Sequence, residues 1–403
     1  SPYIHTVVLK GLKPRTRYTY QPGGSQDRYT FITPAAPGDV HASAPFKMGV
    51  WADVGITNVS FTNMLAMKHF NPELVLLAGD FSYADGWHPR WETFGSLHEP
   101  LMSSVATLGV MGNHEISTGK SQGVDFKALY PVPYRASGSE TPMWYSYEAG
   151  PVHVTGMVGS YAPTDKSSAQ YKFVAEDFAR VNRTRTPWLV VQFHTPWYSS
   201  SMHHYQEAME HQKDMEDLFF EHGVDMVFNG HLHDYERSHP VYRNKLNDCG
   251  PTHIVVGDGG NHEGPASAGA KGWHQPQPEW SAFRETSFGI GLFTVHNATH
   301  SEWTWRRGAC VHKNTSLTDR WEWDGVSGPE DGCKTEGDMS EQATLATDTT
   351  VFVRDVARCP ARNAGTGAGL PQTPTPEVRR RSVQLPAQAP IAAPKAGGSR
   401  RLA

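Results

Sequence analysis

The sequence predicts an α/β layered fold over the middle of the chain, with a short all-β segment before it and a structure-poor tail after it. Three observations carry that reading. From Phe46 onward, short continuous apolar runs alternate with segments whose apolar residues recur at helical spacing, the pattern of buried strands and their covering helices. Nearly every apolar run ends at once in Asp, Asn or His, usually beside Gly. On either side of this region the pattern breaks down.

The elements follow in order. His5-Thr-Val-Val-Leu9 and Gly11-Leu-Lys-Pro-Arg-Thr-Arg-Tyr18-Thr-Tyr20 alternate apolar and polar residues around a turn, as strands do. They resemble the last strands of a fibronectin-type β-sandwich, of which roughly 40 residues supply only part, since a whole one takes about 100. The expected divisions are residues 1–38 for this β-segment and 39–45 for a Pro/Ala/Gly-rich linker. Expected strands are Phe46–Trp51, Leu74–Ala78, Val105–Met111, Val152–Val158, Trp188–Phe193, Met226–Phe228 and Ile254–Val256, with helices over Gln170–Arg183 and Gln206–His222. Residues 46–334 form the main domain. From about Thr335 the chain keeps one aromatic, Phe352, and becomes rich in Pro, Ala, Gly and Arg. Such a segment buries too little apolar surface to offset its ordering entropy, so 335–403 is expected to be a largely disordered basic tail.

The 403 residues exceed what one core usually organises, roughly 250–300. With 36 Lys+Arg against 41 Asp+Glu, the net charge of -5 gives no electrostatic footprint for nucleic acid. No apolar run approaches the length of a membrane span. Cys249, Cys310, Cys333 and Cys359 lack Cys-x-x-Cys spacing and leave three disulfide pairings open. Asn58-Val-Ser60, Asn182-Arg-Thr184, Asn297-Ala-Thr299 and Asn314-Thr-Ser316 fit the glycosylation triplet and favour a secreted, extracellular or lumenal/vacuolar protein.

The strand-end series is Asp53-Val-Gly55, Gly79-Asp80-Phe-Ser-Tyr83, Gly112-Asn113-His114-Glu115, Val191-Gln-Phe-His194 and Gly230-His231-Leu-His233. In layered α/β folds ligands gather outside the carboxyl ends of strands, so these distant segments can converge. Their donors are hard oxygens and imidazoles without thiolate, which suits a pair of metal ions. One such turn means little; five in sequence are hard to explain as turns.

This ordered set resembles the metallophosphoesterase superfamily, and Tyr83 narrows the likeness to the plant-type, high-molecular-weight purple acid phosphatases. Trp197-Tyr198, His203-His204, Tyr235-Glu-Arg237 and Gly257-Asp-Gly-Gly260 add to it. The likeness covers roughly Ser1 to Thr299; Ala52 departs from the family's usual glycine, and the tail matches nothing in it. It implies a four-layer α/β/β/α sandwich that hydrolyses phosphate monoesters by a metal-activated hydroxide. Asp53, Tyr83 and His233 would hold Fe(III), Asn113, His194 and His231 a divalent Zn, Mn or Fe, and Asp80 would bridge. Asn113, His114, His203 and His204 match the substrate-contacting positions, with His204 favoured over His203 as the acid that protonates the leaving alkoxide. Expected partners are small phosphate esters, and a homodimer is compatible with the family. A silent binding protein of the same fold is disfavoured by the full set of seven ligand candidates. Leaving-group preference, monoester against diester, rests on loops such as Trp87–Glu99 and Trp273–Arg284.

Overall fold

The computed structural model describes residues 4–39, 44–116, 122–268, 272–308 and 344–363. In chain order the strands are β1 (Arg17–Tyr20), β2 (Tyr29–Ile32), β3 (Phe46–Trp51), β4 (Leu74–Leu77), β5 (Ala106–Gly109), β6 (Trp144–Ala149), β7 (Val152–Met157) and β8 (Trp188–Gln192). They continue with β9 (Met226–Asn229), β10 (Tyr235–Ser238), β11 (Val241–Tyr242), β12 (Lys245–Leu246), β13 (Thr252–Val256), β14 (Ser281–Glu285), β15 (Gly289–Val295), β16 (His300–Gly308) and β17 (Thr344–Val353). The α-helices are α1 (Asn58–His69), α2 (Pro89–Met102), α3 (Asn113–Ile116), α4 (Val124–Leu129), α5 (Ala169–Arg180) and α6 (Met209–Glu221).

Two sheets carry the domain. One runs β17-β16-β15-β3-β4-β5 and the other β14-β10-β13-β9-β8-β7-β6. Within each sheet a run of strands is parallel, β3 with β4 and the edge strand β5, and β7 with β8, β9 and β13. Apart from β5, these strands are mostly apolar and buried, because they are covered on both faces. Alternation along each strand then divides the apolar side chains between two cores. Phe46, Met48 and Val50 of β3 and Leu74 and Leu76 of β4 meet Val190, Phe228 and Ile254 between the sheets. Trp51, Val75 and Leu77 point outward under Met64 and Met67 of α1 and Phe94, Leu97 and Leu101 of α2. On the far side Leu189, Val191 and Val227 lie under Phe173 and Phe178 of α5 and Met215 and Phe219 of α6. The result is the expected α/β/β/α order.

Sequence and structure differ at both ends. His5–Leu9 forms no strand, and Val7, Val8 and Leu9 are exposed; only β1 and β2 pair, stacking Tyr18 on Phe31 and Tyr20 on Tyr29. This hairpin docks on the main domain through Arg15 to Glu73 and Tyr20 Oη to the Ser103 carbonyl. The tail expected to lack structure from Thr335 contains β17, which pairs with β16 along its length. Long-range partners outweigh its composition: Asp348 accepts from Tyr235 Oη at 2.6 Å and from Arg237 Nε at 2.7 Å, and Cys249–Cys359 ties the following segment down. That bridge selects one of the three open pairings. Cys310, Cys333, Asn314 and residues 364–403 lie outside the described residues.

Candidate metal centre

The five sequence segments converge at the carboxyl ends of the parallel strands. Asp53 follows β3, Asp80 and Tyr83 follow β4, Asn113 opens α3 after β5, His194 follows β8, and His231 and His233 follow β9. All seven are buried or nearly so. Asp53, Asp80, Tyr83 and His231 hold positive φ of 54°, 54°, 54° and 70°, which costs a non-glycine residue of order 1 kcal/mol or more and collects where function needs it. Glycine makes the convergence sterically feasible. A Cβ on Gly112 would fall 2.2 Å from Asp80 Oδ1 and 2.7 Å from His194 Nε2, and Gly79, at φ +95°, would place one 2.4 Å from His194 Nδ1.

The cluster has two halves. In one, Tyr83 Oη lies 3.1 Å from Asp53 Oδ1 and 3.0 Å from His233 Nε2, with His233 Nε2 3.3 Å from Asp53 Oδ1. In the other, Asn113 Oδ1 lies 3.0 Å from His194 Nε2 and 2.9 Å from His231 Nδ1. Asp80 adjoins the second half, Oδ2 2.9 Å from His194 Nε2, and its Oδ1 accepts the His114 N–H at 2.9 Å. Each imidazole's remaining nitrogen is held from outside: His194 Nδ1 by the Ala78 carbonyl at 2.8 Å, His233 Nδ1 by the Gly264 carbonyl at 3.2 Å, His231 Nε2 by Glu207 at 3.2 Å. That outer bracing is how metal-binding histidines are oriented.

The electrostatics fit a cation site. Among the described residues, every ion pair of Asp53 and Asp80 is with a histidine, so two fully buried carboxylates lack a permanent positive partner. Burial pushes the Tyr83 phenol well above its ordinary value, and Asp53, Asp80 and Glu263 push it further. Burial opposes a charge on His194, but Asp80 and Asp53 outweigh it and raise the imidazole to about 10. The donors would share their space with cations more readily than with protons alone. Asp80, His194 and His231 bring their donor atoms within 4.8 Å of one another.

The histidines expected to contact phosphate divide by position. His114 Nδ1 is bonded to Asp85 Oδ1 at 2.6 Å, which turns Nε2 toward Asp80, 3.9 Å away. Burial works against its charge, while Asp85 and Asp80 raise it to about 9. His204, at φ +55°, bonds Glu207 Oε2 through Nδ1 at 2.5 Å and lies with its ring 4.4 Å from that of His231. His203 stands edge-on to His204, 4.6 Å away.

Five residues with a place here escaped the sequence reading. Glu115 accepts the N–H groups of Asp80, Phe81 and Gly112, clipping the β4 and β5 loops together. Tyr161 Oη reaches Asn113 Oδ1 at 3.3 Å and Thr195 Oγ1 at 2.7 Å. Asp85, Glu207 and Glu263 are the acids beside His114, His204 and His233. Asp85 and Glu207 follow Tyr83 and His204 by two and three residues and were findable as orienters; Tyr161 carries no local signal. Of the glycosylation triplets, Asn297 and Thr299 sit in an exposed hairpin and Asn182 caps a turn, whereas Ser60 of the Asn58 triplet is buried in the α1 capping box.

Comparison with known proteins identifies the family. The family model described as calcineurin-like phosphoesterase matches residues 38–235, and that described as iron/zinc purple acid phosphatase-like protein C matches residues 250–320. Purple acid phosphatase 18 of Arabidopsis thaliana is 40% identical over 307 residues, covering 75% of this chain and 68% of that protein. Purple acid phosphatase 1 of Ipomoea batatas is 36% identical over 342 residues, covering 78% and 71%. The structure of purple acid phosphatase PPD1 from yellow lupin seeds superposes with a TM-score of 0.67 at 23% identity, over 87% of this chain and 62% of that one, and so supports the fold. This chain therefore spans less than two thirds of the lupin protein. With the strand-end cluster, both family models and relatives at this identity in agreement, the chain belongs to the purple acid phosphatase family.

Proposed function

We infer that this chain, a phosphate-monoester hydrolase by family, works at an Fe(III) and divalent ion pair divided as the two halves of the cluster are divided. The observation that carries this is their difference in charge. Asp53, Tyr83 and His233 offer two oxygens able to be anionic and one imidazole, suited to the trivalent ion; Asn113, His194 and His231 offer an amide and two imidazoles, suited to Zn, Mn or Fe in the divalent state. Asp80, which meets His194 and accepts the His114 N–H, would bridge the two ions. When bound, the ions would supply Lewis acidity toward the phosphoryl group and a water acidified enough to act as nucleophile in acid.

The protein's own groups do the rest. Asp85 fixes the His114 tautomer so that Nε2 faces the phosphate position. Glu207 holds His204 Nδ1, which leaves Nε2 to deliver a proton to the departing alkoxide, and His203, edge-on to His204, is a further phosphate contact. The Cys249–Cys359 bridge and the triplets at Asn182, Asn297 and Asn314 support a secreted or lumenal glycoprotein. No helix among the described residues is long and apolar enough to cross a membrane.

Metal analysis of the purified protein, run beside hydrolysis of a monoester and a diester panel, tests this. About one Fe and one divalent ion per chain with monoester preference is expected; two divalent ions, or diester preference, would refute it. His204→Ala is expected to slow esters with poor leaving groups far more than activated aryl phosphates, and an equal loss on both would move His204 to phosphate binding.

A further inference from the structure

Two half-exposed carboxylates flank the cluster, one beside each half. Glu207, 44% exposed, bonds His204 and His231. Glu263, 46% exposed, reaches across the other half, 3.8 Å from His114 Nε2 and 4.0 Å from His233 Nδ1. They differ in the nitrogen they meet. Glu207 takes the nitrogen that orients His204, whereas Asp85 already orients His114 and Glu263 stands at its working nitrogen. Any phosphate oxygen that bonds His114 Nε2 must come close to the Glu263 carboxylate.

Glu263 is fixed there by the backbone that builds the site. Its N–H donates to Asn261 Oδ1 at 2.9 Å, Asn261 donates from both its backbone and side-chain nitrogens to the Asp53 carbonyl, and the next residue, Gly264, accepts from His233 Nδ1. The loop thus hangs from two of the candidate ligands. A fixed negative charge beside a site for a dianion weakens binding by Coulomb repulsion, moderated by half-exposure and by salt.

Resting on the phosphatase reading above, we propose that Glu263 is an affinity-setting residue that limits the hold of the site on the phosphate dianion, and so on the inorganic phosphate product. It discriminates by charge, against a dianionic phosphoryl group more than a monoanionic diester. Removing the charge while keeping the shape, as in Glu263→Gln, is expected to tighten inorganic phosphate about tenfold at low salt, by equilibrium dialysis and as a competitive inhibitor. KM for a monoester falls with it, kcat does not rise, and the gain shrinks in high salt. Glu263→Asp keeps the charge and is expected to stay near the wild type.

Metal content is measured in every variant. Phosphate affinity unchanged in Glu263→Gln, a loss confined to kcat, or loss of bound metal would each overturn the proposal, the last two assigning Glu263 to proton transfer or to holding His233. If the wild type neither binds phosphate nor hydrolyses a monoester, the phosphatase reading falls and this one with it. If it does both and Glu263→Gln matches it, only the role of Glu263 falls.

Discussion

The histidines at the strand ends and the histidines buried around Trp197, one on α6 and one on β13, are the same residue under opposite conditions. His194 and His231 have both ring nitrogens engaged, one inward at the cluster and one outward at a carbonyl or carboxylate. His211 and His253, equally buried around Trp197, have neither nitrogen bonded among the described residues. Carboxylates hold His194 charged against burial, and burial lowers His231 with Glu207 only partly offsetting it, whereas burial alone lowers His211 and His253 to about 3. In a chain with 21 histidines, abundance therefore says little about chemistry. What distinguishes the two sets is the carboxylate brought within reach.

Removing that carboxylate is the strongest way to break the contrast. Asp80 is the proposed bridge between the two halves, so Asp80→Ala is expected to release both ions and take activity below detection, while circular dichroism stays native. A variant that keeps two metal equivalents would show that the halves are built independently.

Tyr83→Phe sharpens the contrast on one half only. Phenolate bound to Fe(III) absorbs visible light by charge transfer, so the wild type is expected to be pink to purple and the variant bleached. Burial of Tyr83 among carboxylates opposes its ionisation unless a strongly acidic cation compensates. A colourless, fully metallated and active wild type would remove Fe(III) from this half.

The candidate cluster was legible because strand-end residues are contiguous with their strands: an apolar run followed by Gly-Asp or Gly-Asn-His announces both the element and the direction in which its last side chain faces. The parallel strands were legible for the same reason. Not legible were contacts made by partners distant in sequence. Nothing near Thr344–Val353 shows that Asp348 will meet Arg237, so composition argued for disorder where pairing with β16 imposes a strand. Tyr161, which approaches Asn113 from 48 residues away, is the same kind of case inside the site. Tyr161→Phe deletes one hydroxyl from the half opposite Tyr83. It is expected to weaken the divalent ion about tenfold in equilibrium dialysis while sparing the visible band. Equal loss of both ions would make Tyr161 a general packing residue.

The smallest effect tests the other side of the comparison, the histidines without partners. A histidine lowered to about 3 in the folded state stays neutral where its unfolded counterpart, near 6.5, takes up a proton. Above pH 6.5 both states are neutral and His211 contributes no pH dependence. Below it the unfolded state binds the extra proton, so stability falls by about 1.4 kcal/mol per pH unit, or about 2 kcal/mol at pH 5, and keeps falling until the pH nears 3. His211→Phe suits the aromatic surroundings of Phe193 and Trp197 and removes this slope. Thermal unfolding from pH 7 to 4 should therefore give a variant whose midpoint declines more slowly than the wild type's, at the pH where an acid phosphatase works. Parallel declines would mean that folded His211 accepts a proton after all, and that its setting is closer to that of His194 than its unbonded nitrogens indicate.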